Sequence, residues 1–239
     1  DQDPAIRRVG LLQIVDFADE SPELFVAATR DADAGVRLEA AKALEGNPDA
    51  GAVRALAVLL DDQDEEVVAA AAESLGEILD PAAGPVLIEL LAQASGEARA
   101  YLLAALRKLR QPGALVPALA LADDASINVR REAVGVLAYL KDEAALAKLS
   151  IRAERDADPS VRRIAVGALS FATDASVLPA LGLALGDSDW QVRQEAAVTL
   201  QGLDHRLLVL AAERHDIDRR QLEVRRHPDF RNGDDMRGD

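Results

Sequence analysis

The sequence predicts an all-α chain of about seven stacked helix pairs, and three observations carry that prediction. A phrase close to Asp-x-x-Val-Arg recurs with its apolar anchor at Ile6, Val36, Val67, Ala98, Val129, Val161 and Val192, in steps of 30, 31, 31, 31, 32 and 31 residues. Eight residues after each anchor stands Ile14, Leu44, Leu75, Leu106, Leu137, Leu169 or Leu200. The composition, rich in Ala and Leu with 3% aromatic residues, suits closely packed helices better than strands. Self-similarity at such a period marks a repeat architecture, because one helix pair cannot bury its apolar face and a stack of pairs can.

The second helix of each unit begins at the phrase. Asp3, Asp33, Asp64, Ser95, Ser126, Asp158 and Asp189 stand three residues before the anchors, where an oxygen can accept from the free N–H groups of a helix start. Pro4 and Pro159 follow their caps at a position where a missing N–H costs nothing. Offsets 0, +4, +7 and +8 from the anchor are mainly Val, Ala and Leu, one stripe at helical periodicity. Gly46, Gly76 and Gly202 follow the stripe and are candidate helix stops. First helices fill the gaps, as in "DAGAVRALAVLL", "DPAAGPVLIELL", "QPGALVPALALA" and "DASVLPALGLAL". Pro85, Pro117 and Pro179 recur at matching places in three of them, which implies a bend or a late helix start.

The ends differ from the middle. The first unit lacks a first helix, so residues or a domain upstream are expected. After the seventh unit, "LDHRLLVLAAERHDIDRR" reads as the first helix of an eighth, but Pro228 blocks its second helix. The expected division is a repeat solenoid over 1–214 and a degenerate cap with a polar tail over 215–239.

Paired helices with this phrase at about 31 residues resemble the short HEAT-like repeats named after the phycobilisome lyases. The resemblance covers residues 1–214. It implies an all-α, right-handed α-α superhelix, a HEAT-like solenoid whose second helices line the concave face. It also implies that Arg7, Arg37, Arg99, Arg130, Arg162 and Arg193, one residue past each anchor, form a ladder with the capping aspartates of their own or the neighbouring unit. Only Val68 breaks that series.

The same resemblance supplies activities to test. HEAT-like hydroxylases hold iron with His-Glu pairs after the Val-Arg. Here those positions read Leu38-Glu39, Ala69-Ala70, Ala100-Tyr101, Arg131-Glu132, Arg163-Ile164 and Gln194-Glu195, with no histidine, so that chemistry is excluded. HEAT-like DNA glycosylases need a basic face, whereas this chain carries 27 basic and 42 acidic residues for a net charge of -15. Nucleic acid is therefore not expected, and a protein partner with a basic surface is electrostatically easier. His205, His215 and His227 match no compact ligand spacing. No apolar run is long enough to span a membrane, and the absence of cysteine fits the cytoplasm.

What varies between units carries the candidate site. On a wheel of about 100° per residue, offsets +2, +3, +6 and +10 share one face opposite the buried stripe. Read along the chain, that face gathers Tyr101, Arg131, Tyr139, Arg163 and Phe171, with Gly135 and Gly167 between them. Tyr and Arg are favoured where binding energy concentrates. Trp190, at the turn before a second helix, reads either as an interface anchor or as a lid on the core. The expectation is a non-catalytic, monomeric protein-interaction scaffold, without cofactor or metal, that uses these five residues as its partner-binding patch. The alternative is a bilin-lyase-like or other chaperone-type factor acting on a protein-bound small molecule.

Overall fold

The computed structural model describes the backbone of residues 2–215 and the side chains of residues 2–203. The second helices are α1 (Pro4–Gln13), α3 (Ala34–Ala43), α5 (Glu65–Gly76), α7 (Ala98–Lys108), α9 (Ile127–Leu140), α11 (Pro159–Ala168) and α13 (Trp190–His215). The first helices are α2 (Pro22–Ala28), α4 (Ala50–Leu59), α6 (Gly84–Gln93), α8 (Leu115–Leu121), α10 (Leu146–Arg155) and α12 (Leu178–Ala184). Every second helix from α3 to α13 packs on the first helix of its own unit and on the second helix before it, which makes a two-layered α-solenoid.

The core lies between the two layers. Val67, Ala71, Ser74 and Leu75 are buried together, as are Ala98, Leu102, Ala105 and Leu106, and Val129, Ala133, Val136 and Leu137. Each set occupies offsets 0, +4, +7 and +8. Each fully buried leucine contributes about 1.5–3 kcal/mol over an exposed one. The one polar member, Ser74, donates its hydroxyl to the Ala41 carbonyl of the layer before at 2.9 Å, so burial leaves nothing unpaired. In α1 no residue is buried, and Ile6, Val9 and Leu12 are all more than half exposed; among the described residues no first helix packs behind this layer.

Asp3, Asp33, Asp64, Ser126, Asp158 and Asp189 cap their helices as expected. Ser95 does not. Helix α7 starts after Glu97 with no side-chain cap, and Gly96 turns the chain at φ +53 instead. The recurring prolines mark a late start. A 3-10 turn at Pro81–Ala83, Pro112–Ala114 and Ala175–Val177 leads into α6, α8 and α12, and Pro85, Pro117 and Pro179 sit in the first turn of the α-helix that follows. There the missing N–H has no carbonyl to meet.

One glycine stop is corrected. Gly46 lies two residues past the Leu44 C-cap of α3, at φ +70, and Gly76 is the last residue of α5, but Gly202 lies inside α13. Helix α13 continues to His215, so the segment read as the start of an eighth unit prolongs the seventh. Of the expected cap and tail over 215–239, residues 216–239 lie outside the described residues.

The arginine ladder exists, but its acceptor is not the cap. Arg7, Arg37, Arg99, Arg130 and Arg162 pair with Asp31, Asp62, Asp124, Asp156 and Asp187 of the next unit at 2.7–2.9 Å. Each acceptor stands two residues before the cap and also accepts the cap residue's backbone N–H. Arg37, Arg130 and Arg162 further donate to two carbonyls of their own turn, so each guanidinium ties one inter-helix turn to the next. The gap in the ladder is reciprocal. Val68 replaces the arginine, and Gln93 replaces the aspartate it would have reached.

Candidate functional site

Two adjoining hollows open on the second-helix face across α7, α9 and α11. The larger, of about 690 Å³, has Arg131 and Tyr139 in its wall. The smaller, of about 280 Å³, has Arg163 and Phe171. Ala138, Lys141 and Ile164 belong to both, so the hollows form one furrow with an apolar floor. Four of the five residues singled out in the sequence therefore meet here. Tyr101 does not line the furrow; it lies nearer the start of α7, the helix that brings Arg107 to the furrow, and is 37% exposed.

Helix geometry explains why these residues face outward. The buried stripe of α9 takes Val129, Ala133, Val136 and Leu137, which leaves Arg131, Gly135 and Tyr139 on the opposite face. The glycines make room for neighbours. A Cβ on Gly135 would lie 3.4 Å from Arg107 Cδ, and one on Gly167 would lie 2.7 Å from Glu195 Oε1. In each hollow a charged side chain from the adjacent second helix thus crosses a bare backbone.

Three basic residues of the furrow escaped the sequence reading: Arg107, Arg110 and Lys141. Arg107 stands nine residues past its anchor, at about 180° on the wheel and beside the face already marked, so it was within reach. Arg110 and Lys141 follow the ends of α7 and α9 in the left-handed conformation, both at φ 53, where the helical wheel no longer gives a side chain's direction. Arg110 lies over the Tyr139 ring, 5.3 Å from its centre, a cation–π contact.

Most of this charge lacks a counter-charge. Arg107 Nη2 donates to Glu132 Oε2 at 3.3 Å, and Arg131 approaches the same carboxylate at 3.7 Å. Arg107 Nε is shielded and bonded to nothing among the described residues. Arg110, Lys141 and Arg163 have no carboxylate partner there. The furrow thus holds five cations against Glu132 and Glu195. Its sign is opposite to that of the whole chain. Away from it, the ladder guanidinium groups of Arg7, Arg37 and Arg162 hold Asp31, Asp62 and Asp187 below the usual aspartate range.

Trp190 opens α13 and is 60% exposed, so it does not cover the core. Among the described residues no three His, Asp or Glu side chains are grouped to hold a metal. No helix there is long and apolar enough to cross a membrane.

The family model for HEAT repeats matches residues 21–107, 85–170 and 147–221. This chain belongs to the HEAT-repeat family. Similar solved structures include a designed armadillo repeat protein in complex with the peptide (KR)4, 25% identical, with 75% of this chain and 98% of that one covered and a TM-score of 0.51. YibA of Escherichia coli is 20% identical over 84% of this HEAT-repeat chain and 78% of its own, with a TM-score of 0.55, a likeness of fold. The CpcE–CpcF phycocyanin lyase complex of Nostoc sp. PCC7120 is 22% identical over 87% and 91%, at a TM-score of 0.41. No curated protein matches this chain.

Proposed function

We propose that this HEAT-repeat chain is a non-catalytic scaffold that holds a segment of a partner protein in the furrow between α7 and α11, with Arg131, Tyr139, Arg163 and Phe171 as its contact residues and Tyr101 extending the surface along α7. Solenoids of this kind commonly bind proteins on such a face. The observation that carries the reading is the furrow itself: aromatic rings and unpaired cations over an apolar floor, on the one face where the units differ. The designed armadillo neighbour, which is in complex with a peptide, lends support, since its frame covers 75% of this chain. The expectation of a basic partner rested on the net charge. The charge in the furrow is the better guide to what enters it, because fields from exposed charges beyond about 10 Å are screened at ordinary salt.

The test is affinity capture from the native cell with the wild-type chain and with Tyr139→Ala/Arg163→Ala, alongside their melting temperatures. A protein partner retained by the wild type and lost by a double variant that melts within a few degrees of it supports the scaffold. A partner retained by the variant refutes this site. A co-purifying chromophore with no protein partner would favour the lyase-like alternative.

A further inference from the structure

We infer that the segment held in the furrow is acidic and extended, with carboxylates about one helix layer apart and apolar side chains between them. This deepens the scaffold reading by assigning the ligand its charge and spacing. The cations form a grid. Arg110 and Lys141 each stand twelve residues past their anchors, Ala98 and Val129, and Arg131 and Arg163 each stand two past theirs. Each pair therefore repeats one layer along, a step of about 8–10 Å for packed helices.

Along the ladder the chain answers its arginines with carboxylates. On this face Arg110, Lys141 and Arg163 have no such answer among the described residues, and Arg107 and Arg131 share Glu132. The two left-handed positions add weight. Gly46, two residues past the C-cap of α3, takes φ +70, a position that glycine fits without steric cost, yet at φ 53 the chain places Arg110 and Lys141. Long cations stand where glycine would fit the backbone better.

The distribution of charge selects the ligand. Cations spread over two layers do not converge on one phosphate; they match a strand whose charge is spread as well. A polyproline-II strand turns once in three residues and rises about 9.3 Å, so side chains three apart share a face at one layer step. Between the cations, Ala138, Ile164 and Phe171 offer apolar surface for the intervening residues. A basic peptide such as (KR)4 would meet like charge here.

The test is fluorescence anisotropy with labelled peptides of repeated Glu-Pro-Leu triplets, against Gln-Pro-Leu and Lys-Pro-Leu repeats and an oligothymidylate. The Glu peptide is expected to bind at least about tenfold tighter than the Gln peptide, with the Lys peptide weakest, and to weaken several-fold between about 0.05 and 0.3 M salt. Lys141→Gly and Arg163→Gln should each weaken it about fivefold. Lys141→Gly should melt no lower than the wild type, which separates lost binding from lost folding. Arg54→Gln, on α4, should bind as the wild type does. Equal or tighter binding of the Lys or Gln peptide, tighter binding of the oligothymidylate, or indifference to both furrow variants would overturn the inference. If a partner is captured through the furrow but the Glu peptide does not bind, the assigned charge is wrong and the scaffold stands; if neither binds, both fall.

Discussion

Asp156→Ala is expected to be among the most damaging single changes outside the apolar core. The Asp156 side chain is fully buried and that of its partner Arg130 is 11% exposed. Arg130 Nε and Nη2 donate to its two oxygens at 2.9 and 3.0 Å, and the Asp158 N–H donates at 3.0 Å. Arg130 Nη1 is also bound to the carbonyls of Asp124 and Ala125, so the guanidinium cannot swing into water when its carboxylate is removed. Breaking a buried pair by deleting one partner costs about 3–5 kcal/mol. Arg152, 3.4 Å away, supplies a second cation that would be left facing the gap. We therefore expect a loss of about 3–4 kcal/mol, or roughly 6–16 °C in melting temperature for a chain of this size. The control is built into the sequence. Arg130→Val with Asp156→Gln copies the Val68 and Gln93 pair of the third step, and should cost about 1–2 kcal/mol less than Asp156→Ala alone, since the buried Arg130 charge is removed with its partner and Arg152 keeps Asp123 at 3.4 Å. Urea titrations followed by helical circular dichroism, with hydrogen exchange to locate the opening, would measure both. A loss below about 1 kcal/mol for the single variant, or a double variant no better than the single, would refute the reasoning.

Three further outcomes follow from the same geometry. Lys141→Gly should raise stability by about 0.5–1 kcal/mol, because a left-handed residue other than glycine costs about 1–2 kcal/mol and glycine's extra chain entropy returns part of it; Arg110→Gly should be near neutral, because it also loses the contact with Tyr139, and a scanning calorimeter distinguishes the two. Gly135→Ala should stabilise α9 by up to about 1 kcal/mol, since its Cβ would meet Arg107 at an ordinary 3.4 Å; a drop in melting temperature would show that Arg107 cannot give way. Asp31, Asp62 and Asp187, held below their ordinary 3.8 by arginine hydrogen bonds, and Asp158, held below it by the Ser160 hydroxyl, make the fold acid-labile. Lowered folded values stabilise above the unfolded pKa and lose that stabilisation as the pH falls through them, so melting should be flat from about pH 7 to 5 and fall below about pH 4; a melting temperature that holds to pH 3 would contradict this.

The repeat was legible because each layer solves one packing problem with the same residues at the same offsets. The errors have physical causes. Aspartates recur both three and five residues before the anchors, and both are in step with the arginines, so period alone cannot say which one accepts. The exceptions can: Ser126 replaces the cap while Asp124 remains, and Gln93 appears where Val68 has removed the donor. Gly202 looked like a stop, but glycine inside a helix costs only about 1 kcal/mol, less than the following helix formers recover. Half of the furrow was hidden because Arg110 and Lys141 lie just past their helices, where a left-handed turn redirects the side chain and periodicity gives no bearing.

The net charge of the chain does not describe the charge of the furrow, and the fold explains why. Nine aspartates, Asp3, Asp33, Asp49, Asp64, Asp80, Asp142, Asp158, Asp174 and Asp189, cap helix or 3-10 starts, where the macrodipole and free N–H groups favour an anion and no cation is required. Five more are answered by ladder arginines, so they add nothing to the sum. Much of the net -15 is thus a by-product of starting many short helices. Such charge is spread along the turns between helices, away from the second-helix face. A repeat protein can be strongly acidic in total and cationic where it binds, because the residues that set the total and those that set the site occupy different offsets of the same unit. In this chain the aspartates that cap the helix starts carry the unanswered negative charge of the fold, and offsets +2, +9 and +12 carry the positive charge of the furrow.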